Sequence, residues 1–292
     1  MPVLTRRSFL KAGSFAAVAG LGVIGGDSFL WEPNHPKLLQ RELWLERLPG
    51  AWDGLRVVQL SDIHYDPHFS VVPLRKAVDI INPLNPDLVL ITGDFVTTSA
   101  FSHPRHGHPA AAEAEPCSIL LQQIKSRLGI FASLGNHDAS ADPVRISEIL
   151  SARGITVLRN GSQVLEEQGS RLWLAGVDDI LDGDPDLDKT LEKIPHDECA
   201  ILMAHEPDFA LQVAKKPVDL QLSGHSHGGQ VRFPLVGAVV LPHLAHRFPM
   251  GLYKLGNLTL YTNIGLGTIN LPIRWNCPPE ITLFTLRSGK PA

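Results

Sequence analysis

The chain alternates short, β-rich apolar segments with longer amphipathic stretches from about Trp44 onward. This alternation is typical of layered α and β structure, in which sheets bury a face against helices. The apolar runs predict nine strands, at Leu55 to Leu60, Leu88 to Thr92, Ile130 to Leu134, Leu172 to Val177, Ala200 to Ala204, Leu220 to Ser223, Val236 to Leu241, Leu258 to Thr262 and Ile281 to Leu286. Nine strands suit a sandwich of two sheets.

Helix signals are strongest between Pro143 and Arg153, where Asp142 can cap the first turn, Pro143 fits the first position and Gly154 follows the end. Three further helical segments are predicted, at Pro207 to Lys215, after Phe69 and after Pro116. No internal repeat divides the body. Residues 45–292 are therefore expected to form one domain, with residues 27–44 as a linker before it.

The first 26 residues have the pattern of an export signal. The basic segment 6–11, which reads Arg-Arg-Ser-Phe-Leu-Lys, precedes a glycine-rich apolar run over residues 12–26. The basic segment resembles the twin-arginine motif, an address read by the twin-arginine export machinery. The apolar run is shorter than the roughly 20 residues that a membrane span needs. Residues 1–26 are thus predicted to be a signal or, if uncleaved, a weak anchor, and the expected location is the periplasm or the outer face of the cytoplasmic membrane.

Composition narrows the class of protein. Hydrophobic residues make up 44% and charged residues 19%, which excludes disordered, collagenous and coiled-coil chains. Beyond the leader the body holds 23 basic and 30 acidic residues, a net charge of −7, so a nucleic-acid partner is not expected. Three widely separated cysteines exclude a disulfide framework and a cysteine zinc site, whereas 13 histidines favour nitrogen and oxygen ligands.

Polar clusters follow five of the predicted strands. They are Asp62-Ile63-His64, Gly93-Asp94, Gly135-Asn136-His137-Asp138, His205 and Gly224-His225-Ser226-His227. One such cluster is ordinarily only a turn, but five at strand ends, where α/β sheets build their binding crevices, predict a site. Asp, Asn and His without Cys suit divalent ions such as Mn, Fe or Zn, and seven such groups exceed the needs of one ion. Two ions with a bridging carboxylate could activate a hydroxide and polarise a phosphoryl group.

In this order the clusters resemble the full motif set of calcineurin-like metallophosphoesterases, over residues 55–286. Within that superfamily the chain is most similar to the exported YkuE- and YaeI-like branch, through the segments Gly228 to Arg232, Asn263 to Gly267 and Asn276 to Thr282. The resemblance implies a four-layer α/β/β/α sandwich. It also implies in-line attack on phosphorus by a hydroxide that bridges two divalent ions.

The resemblance further implies a role for each site residue. One ion would be held by Asp62, His64, Asp94 and His227, and the other by Asp94, Asn136, His205 and His225. Asp94 is then the bridge between the ions. His137 is expected to protonate the leaving group as a general acid, oriented by Asp138.

Similar proteins include hydrolases of UDP-2,3-diacylglucosamine, so the expected substrate is a phosphodiester or pyrophosphate of a lipid-linked envelope molecule. The alternatives are a phosphomonoesterase or protein phosphatase, and a non-catalytic envelope protein that binds metal or lipid. Arg232, Asn263 and Arg274 are candidates for substrate recognition. The segment His243 to Met250 is a candidate membrane contact, and the histidines at 103, 106 and 108 lie in a predicted surface loop without an assigned role.

Overall fold

The structure, a computed structural model, describes residues 14–15, 19–98 and 109–291. Its first six-stranded sheet runs, in spatial order, β1 (Lys37–Leu45), β14 (Glu280–Ser288), β2 (Leu55–Leu60), β3 (Leu88–Thr92), β4 (Ile130–Ser133) and β5 (Ile155–Val157). Strands β2 to β5 are parallel, whereas β14 is antiparallel to β2 and parallel to β1.

The second sheet also has six strands, in the order β12 (Gly251–Leu255), β13 (Leu258–Thr262), β9 (Leu220–Ser223), β8 (Ala200–Met203), β7 (Ser170–Gly176) and β6 (Gly161–Glu167). Its four central strands are parallel, and the edge strands β12 and β6 are antiparallel to their neighbours. A separate short hairpin consists of β10 (Arg232–Phe233) and β11 (Gly237–Ala238).

Helices cover the outer face of each sheet. Against the first sheet lie α1 (Val71–Ile81), α2 (Ala114–Leu121) and α4 (Pro143–Ser151), and against the second lie α5 (Leu187–Leu191) and α6 (Ala210–Val213). The short helix α3 (Asn136–Ala141) follows β4 directly. Residues 19–26 are helical and continue through a π-helical turn, Asp27–Trp31, into a 3₁₀ turn, Glu32–Asn34.

Alternation along the central strands builds the layers. In β3, Val89 and Ile91 pack with the helices, whereas Leu88 and Leu90 face the second sheet. Successive side chains of a strand point to opposite faces, so continuously apolar strands can be buried on both sides. The predicted four-layer α/β/β/α sandwich is confirmed.

Eight of the nine predicted strands are confirmed, as are the helices α1, α2 and α4. The prediction of a strand over residues 236–241 is wrong, because only the two-residue β11 forms there and Val239 and Val240 are exposed. The predicted helix over residues 207–215 shortens to a 3₁₀ turn followed by α6.

The expectation that residues 27–44 form a linker is also wrong. Strand β1 pairs with β14 along its whole length, from Lys37 opposite Glu280 to Leu45 opposite Ser288. The folded domain therefore begins before residue 45. The strand was missed because the exposed polar residues Gln40, Arg41 and Glu42 interrupt its apolar run.

The described part of the leader is helical, and within the described residues no helix combines the length and apolar character needed to cross a bilayer. The twin-arginine motif at residues 6–11 and the histidines at 103, 106 and 108 lie outside the described residues.

Candidate metal centre

Ligand-type side chains from both sheets meet at the carboxyl ends of the parallel strands. Asp62 and His64 follow β2, Asp94 follows β3, Asn136 follows β4, His205 follows β8, and His225 and His227 follow β9. The Gln59 amide of β2 donates to the Ser223 carbonyl of β9 at 2.9 Å and ties the two sheets together beside these ends. The sequence thus brings distant residues to one place because parallel strands share an edge.

Six of the seven side chains form two adjoining clusters. Asp62, His64 and His227 form one, and Asp94, His205 and His225 form the other; in each, one ligand atom per residue lies within 4.8 Å of the others. In the first cluster, His227 Nε2 lies 3.3 Å from Asp62 Oδ1 and 3.1 Å from His64 Nε2. Such spacings are those of neighbouring ligands around a single ion.

Asp94 lies between the two clusters. Its Oδ2 is 3.4 Å from His64 Nε2 and 3.1 Å from His205 Nε2. Its Oδ1 accepts a hydrogen bond from the His137 backbone N–H at 3.0 Å, which fixes the orientation of the carboxylate. One carboxylate oxygen is therefore held where it reaches histidines of both clusters.

The backbone that carries these ligands is strained. Five of them have positive φ, at 48° for Asp62, 44° for His64, 56° for Asp94, 66° for His225 and 49° for His227. The left-handed region costs a residue other than glycine roughly 1–2 kcal/mol, and such strain concentrates at functional sites. Local hydrogen bonds hold it, since the His225 N–H donates to both Asp62 carboxylate oxygens at 3.0 Å.

Two glycines allow the loops to approach closely. A Cβ on Gly135 would lie 2.8 Å from the Asp94 backbone nitrogen, and one on Gly224 would overlap the side chains of Ser61 and Asp62. Any larger residue at either position would push the ligand loops apart.

The residues present fit a divalent cation. Asn136 Oδ1 and His205 Nε2 are buried without a hydrogen-bond partner. His205 donates from Nδ1 to the Thr92 carbonyl at 2.6 Å, and His225 donates from Nε2 to the His243 carbonyl at 2.8 Å, so each keeps its second nitrogen free for an ion. Burial lowers the pKa of His225 to about 3, which leaves a neutral imidazole lone pair.

His137 is held by Thr98. The Thr98 backbone N–H donates to His137 Nδ1 at 2.9 Å, and the Thr98 hydroxyl lies 2.8 Å from the same nitrogen. Because a backbone amide can only donate, Nδ1 is an acceptor and the ring proton is on Nε2. Burial lowers the pKa of His137 to about 4, in agreement with a neutral ring.

The expectation that Asp138 orients His137 is wrong. The Asp138 carboxylate is buried and accepts hydrogen bonds from the backbone N–H groups of Phe95, Val96 and Gly135, at 2.9, 3.2 and 3.1 Å. Asp138 therefore joins the loop after β3 to the start of α3. Thr98 takes over the orienting role, and no sequence signal distinguished it from other threonines.

Arg274 does not reach the cleft. Its side chain is fully buried, and its guanidinium donates to four backbone carbonyls, those of Ile264, Gly265, Gly267 and Cys277. The prediction that Arg274 recognises substrate is wrong, because its N–H groups are already used to hold the loop that runs from β13 to β14.

The side chains of Asn263 and Arg232 also make hydrogen bonds within the protein. The buried Asn263 amide donates to Glu280 and Thr282, and its oxygen accepts the Gly265 N–H at 2.8 Å. Arg232 donates to the Gly228 carbonyl at 2.8 Å and steadies the turn after His227. Asn263 does not line the cleft and its amide is used within the protein, so its predicted substrate role is wrong. Arg232 does not line the cleft either, and its role in substrate recognition stays a prediction.

A cleft of about 620 Å³ opens above the two clusters. One wall includes Thr98, Ser140 and Asp182, where the Ser140 hydroxyl donates to Asp182 Oδ2 at 2.7 Å. Four other lining residues are apolar and form what we call the apolar wall: Val240, Leu241, Pro242 and Ile269. Sequence reasoning found none of these wall residues, because none belongs to a ligand motif.

Comparison with known proteins matches residues 55–229 to the family model of calcineurin-like phosphoesterases. The uncharacterized metallophosphoesterase YkuE of Bacillus subtilis is 35% identical over 99% of both chains. A zebrafish (Danio rerio) transmembrane protein with metallophosphoesterase domain is 36% identical over 87% of this chain and 58% of its own length. The phosphodiesterase YaeI of Escherichia coli is 29% identical over 97% of this chain and its full length.

Proposed function

The chain belongs to the calcineurin-like phosphoesterase family and is a metal-dependent phosphoesterase, and from that premise we propose that it is a dinuclear phosphodiesterase. The observation that carries the proposal is the position of Asp94, whose Oδ2 reaches histidines of both clusters. A single carboxylate in that position is what two neighbouring ions need as a bridge.

The ligand sets follow the two clusters. Asp62, His64, Asp94 and His227 would hold one ion, and Asp94, Asn136, His205 and His225 the other. When bound, two such ions supply an activated water nucleophile and neutralise charge at phosphorus. Nitrogen and oxygen donors can bind Mn, Fe or Zn, and the availability of each metal determines which one is bound.

His137 has a narrower role than the general acid that the sequence suggests. Its Nε2 carries the proton, while Nδ1 is occupied by the Thr98 amide. The ring can donate a hydrogen bond from Nε2 to an oxygen that gains charge, but it cannot hold a second proton while the Thr98 contact lasts. We infer that His137 stabilises the developing charge on the phosphoryl or leaving-group oxygen.

The cleft favours a diester over a monoester. Among the described residues that line it, none is Lys or Arg, and Asp182 adds a negative charge. A monoester brings nearly two negative charges at neutral pH, whereas a diester brings one. The apolar wall also offers contact to the second esterified group, and the relative YaeI is named a phosphodiesterase.

The deciding experiment is hydrolysis of bis-p-nitrophenyl phosphate and of p-nitrophenyl phosphate by the metal-free protein and after addition of Mn or Zn. Metal-dependent cleavage with the diester preferred is expected. Preference for the monoester would replace this proposal with a phosphomonoesterase or protein phosphatase. Two bound ions without cleavage of either compound would favour a non-catalytic binding protein.

We further propose that the protein is exported and acts on a lipid-linked phosphodiester or pyrophosphate. The twin-arginine motif at residues 6–11 supports export. The apolar cleft wall and the relative named as a transmembrane protein support a membrane-associated substrate. Replacing both Arg6 and Arg7 by lysine should retain the protein in the cytoplasm, as cell fractionation would show. An unchanged distribution would contradict export by this route.

A further inference from the structure

Exposed apolar side chains surround one side of the cleft mouth. Phe233, Leu235, Val236, Val239 and Val240 form what we call the apolar rim, at the β10–β11 hairpin and just after it. Leu235 is fully exposed, and Val236 and Val240 are each about three-quarters exposed. The rim is continuous with the cleft, because Val240, together with Leu241 and Pro242, lines its wall. Grouped apolar exposure of this kind marks an interaction surface.

Acidic residues are missing from the sequence around the rim. Residues 220–279 contain no Asp or Glu, although the chain has 30 acidic residues. The fixed charges of the same segment are all positive, at Arg232, Arg247, Lys254 and Arg274. No carboxylate of this segment would therefore oppose an anionic surface.

The rim is joined to the helical segment of residues 19–34, which we call the helical leader. The rings of Phe233 and Trp275 meet edge to face at 5.2 Å. The next residues of that segment hold the leader, since the Arg274 N–H donates to the Ser28 carbonyl at 2.9 Å and the Asn276 N–H donates to Glu32 at 3.0 Å. Three large apolar side chains beside Ser28 are exposed, Phe29, Leu30 and Trp31. Two apolar surfaces are thus connected through one short segment.

We propose that the apolar rim and the helical leader together dock on an anionic lipid bilayer, with the rim inserted at the headgroup boundary and the cleft mouth facing the lipid headgroups. The shape favours a bilayer over a protein partner, because the rim is a projecting hairpin tip and not a groove that a chain could fill. Arg232 and the Trp275 ring lie beside the rim, and apolar side chains next to a cation and an aromatic ring are typical of interfacial membrane contacts. This binding goes beyond the proposed reaction and can be measured with the metal centre disabled.

The test is co-sedimentation of the full chain with vesicles of phosphatidylcholine and phosphatidylglycerol at 3:1. Leu235→Asp and Val236→Asp each place a charge on the rim without touching the core. Each should weaken binding at least about tenfold, because a charged side chain at the bilayer boundary opposes insertion. The matched control is Val144→Asp, also an exposed valine, at the first turn of α4, where an acid is well tolerated. It should bind as the unaltered protein does.

Three outcomes would overturn the proposal. Equal binding by the rim variants and the control would leave the leader as the anchor and the rim without a role. Failure of the unaltered protein to sediment with vesicles would exclude bilayer docking. A dimer in solution that Leu235→Asp dissociates would assign the rim to contact between two copies of the chain.

The same samples separate this proposal from the proposed reaction. Asp94→Asn should bind vesicles normally, and Leu235→Asp should cleave soluble bis-p-nitrophenyl phosphate normally in the absence of lipid. If the unaltered protein did not cleave bis-p-nitrophenyl phosphate, the proposed diesterase would be refuted, but the proposed docking on vesicles would not be. Loss of vesicle binding in Asp94→Asn would contradict an independent docking surface.

Discussion

The floor of the cleft and its rim differ in what holds their side chains. On the floor, Asp62 and Asp94 are buried, and each accepts a backbone N–H that fixes its carboxylate. On the rim, Leu235 and Val236 are exposed and project from a hairpin of two-residue strands. On the floor, strained backbone and hydrogen bonds fix the positions of polar side chains. On the rim, apolar side chains are left exposed to water.

The proposed reaction and the proposed docking place different requirements on the floor and the rim. The floor needs fixed distances, because a reaction between two ions tolerates little displacement. The rim needs only exposed apolar area near the mouth, because binding to a bilayer is not directional. Changes to the floor should therefore alter turnover steeply, and changes to the rim should alter where the enzyme works.

The largest effect should come from Asp94→Asn. The amide keeps the size of the side chain but removes the charge shared by both clusters, so metal content should fall and cleavage of bis-p-nitrophenyl phosphate should drop by at least about 10³-fold. Elemental analysis and steady-state kinetics measure the two effects. Asp182→Asn, which removes a cleft charge outside both clusters, should keep its metal. Full activity in Asp94→Asn would contradict the assignment of Asp94 as the ligand shared by both ions.

His137→Ala should come next. Losing a donor aimed at developing charge typically costs about 10²–10³-fold in turnover. The metal content should stay that of the unaltered protein, because the His137 ring is outside the two ligand sets. An unchanged turnover number, or a loss of metal equal to the loss of activity, would contradict the proposed role.

Arg274→Met should affect stability more than chemistry. It leaves buried carbonyls such as those of Gly267 and Cys277 without a donor. We expect a loss of about 3 kcal/mol in unfolding free energy and a Tm lower by roughly 6–12 °C. Arg232→Met, at a half-buried position with one carbonyl contact, is the control and should shift Tm far less. A raised KM at an unchanged Tm would restore the anion-binding role that the sequence suggested.

The smallest effect concerns Leu235, which has φ at 67° although it is not glycine. Asparagine adopts this conformation more readily, so Leu235→Asn should raise unfolding free energy by up to about 1 kcal/mol. The same change should weaken vesicle binding. A thermal melt beside the co-sedimentation assay checks both, and a lower Tm would show that the leucine packs against the protein in a way its exposure does not reveal.

Sequence reasoning found the elements with continuous apolar runs, such as β3 and β8, because strands buried on both faces carry few polar positions. It missed the four edge strands of the two sheets, β1, β5, β6 and β12, in which exposed positions interrupt the apolar residues. Sequence reasoning wrongly predicted a strand at residues 236–241 because that segment is apolar. That run is apolar, but the apolar side chains face solvent, and hydrophobicity alone does not tell a core from a docking surface.

The ligand positions could be predicted because they follow strand ends, and the structure brings six of them into two clusters with Asn136 in the same cleft. The roles of Asp138 and Arg274 could not, since each depends on which distant backbone groups lie nearby. The hydrogen bond from Thr98 to His137 is of the same kind. Charged residues in a sequence suggest chemistry, but Asp138 and Arg274 are buried and hold loops through backbone hydrogen bonds.

The pairing of β14 has a consequence for the order in which this molecule can be completed during synthesis. Strand β14 follows every other strand of both sheets in the chain, yet it lies between β1 and β2. Until it emerges from the ribosome, β1 has no partner strand and one edge of β2 is open, the condition in which nascent chains aggregate.

The loop between β13 and β14 is also made late, and it shapes the metal centre. The Leu266 and Gly267 N–H groups donate to the carbonyls of Ser61 and Asp62, at 2.9 and 2.7 Å. The loop that carries Asp62 is therefore fixed only after residue 267 has been made. A complete metal centre is expected in the folded protein and not in the nascent chain.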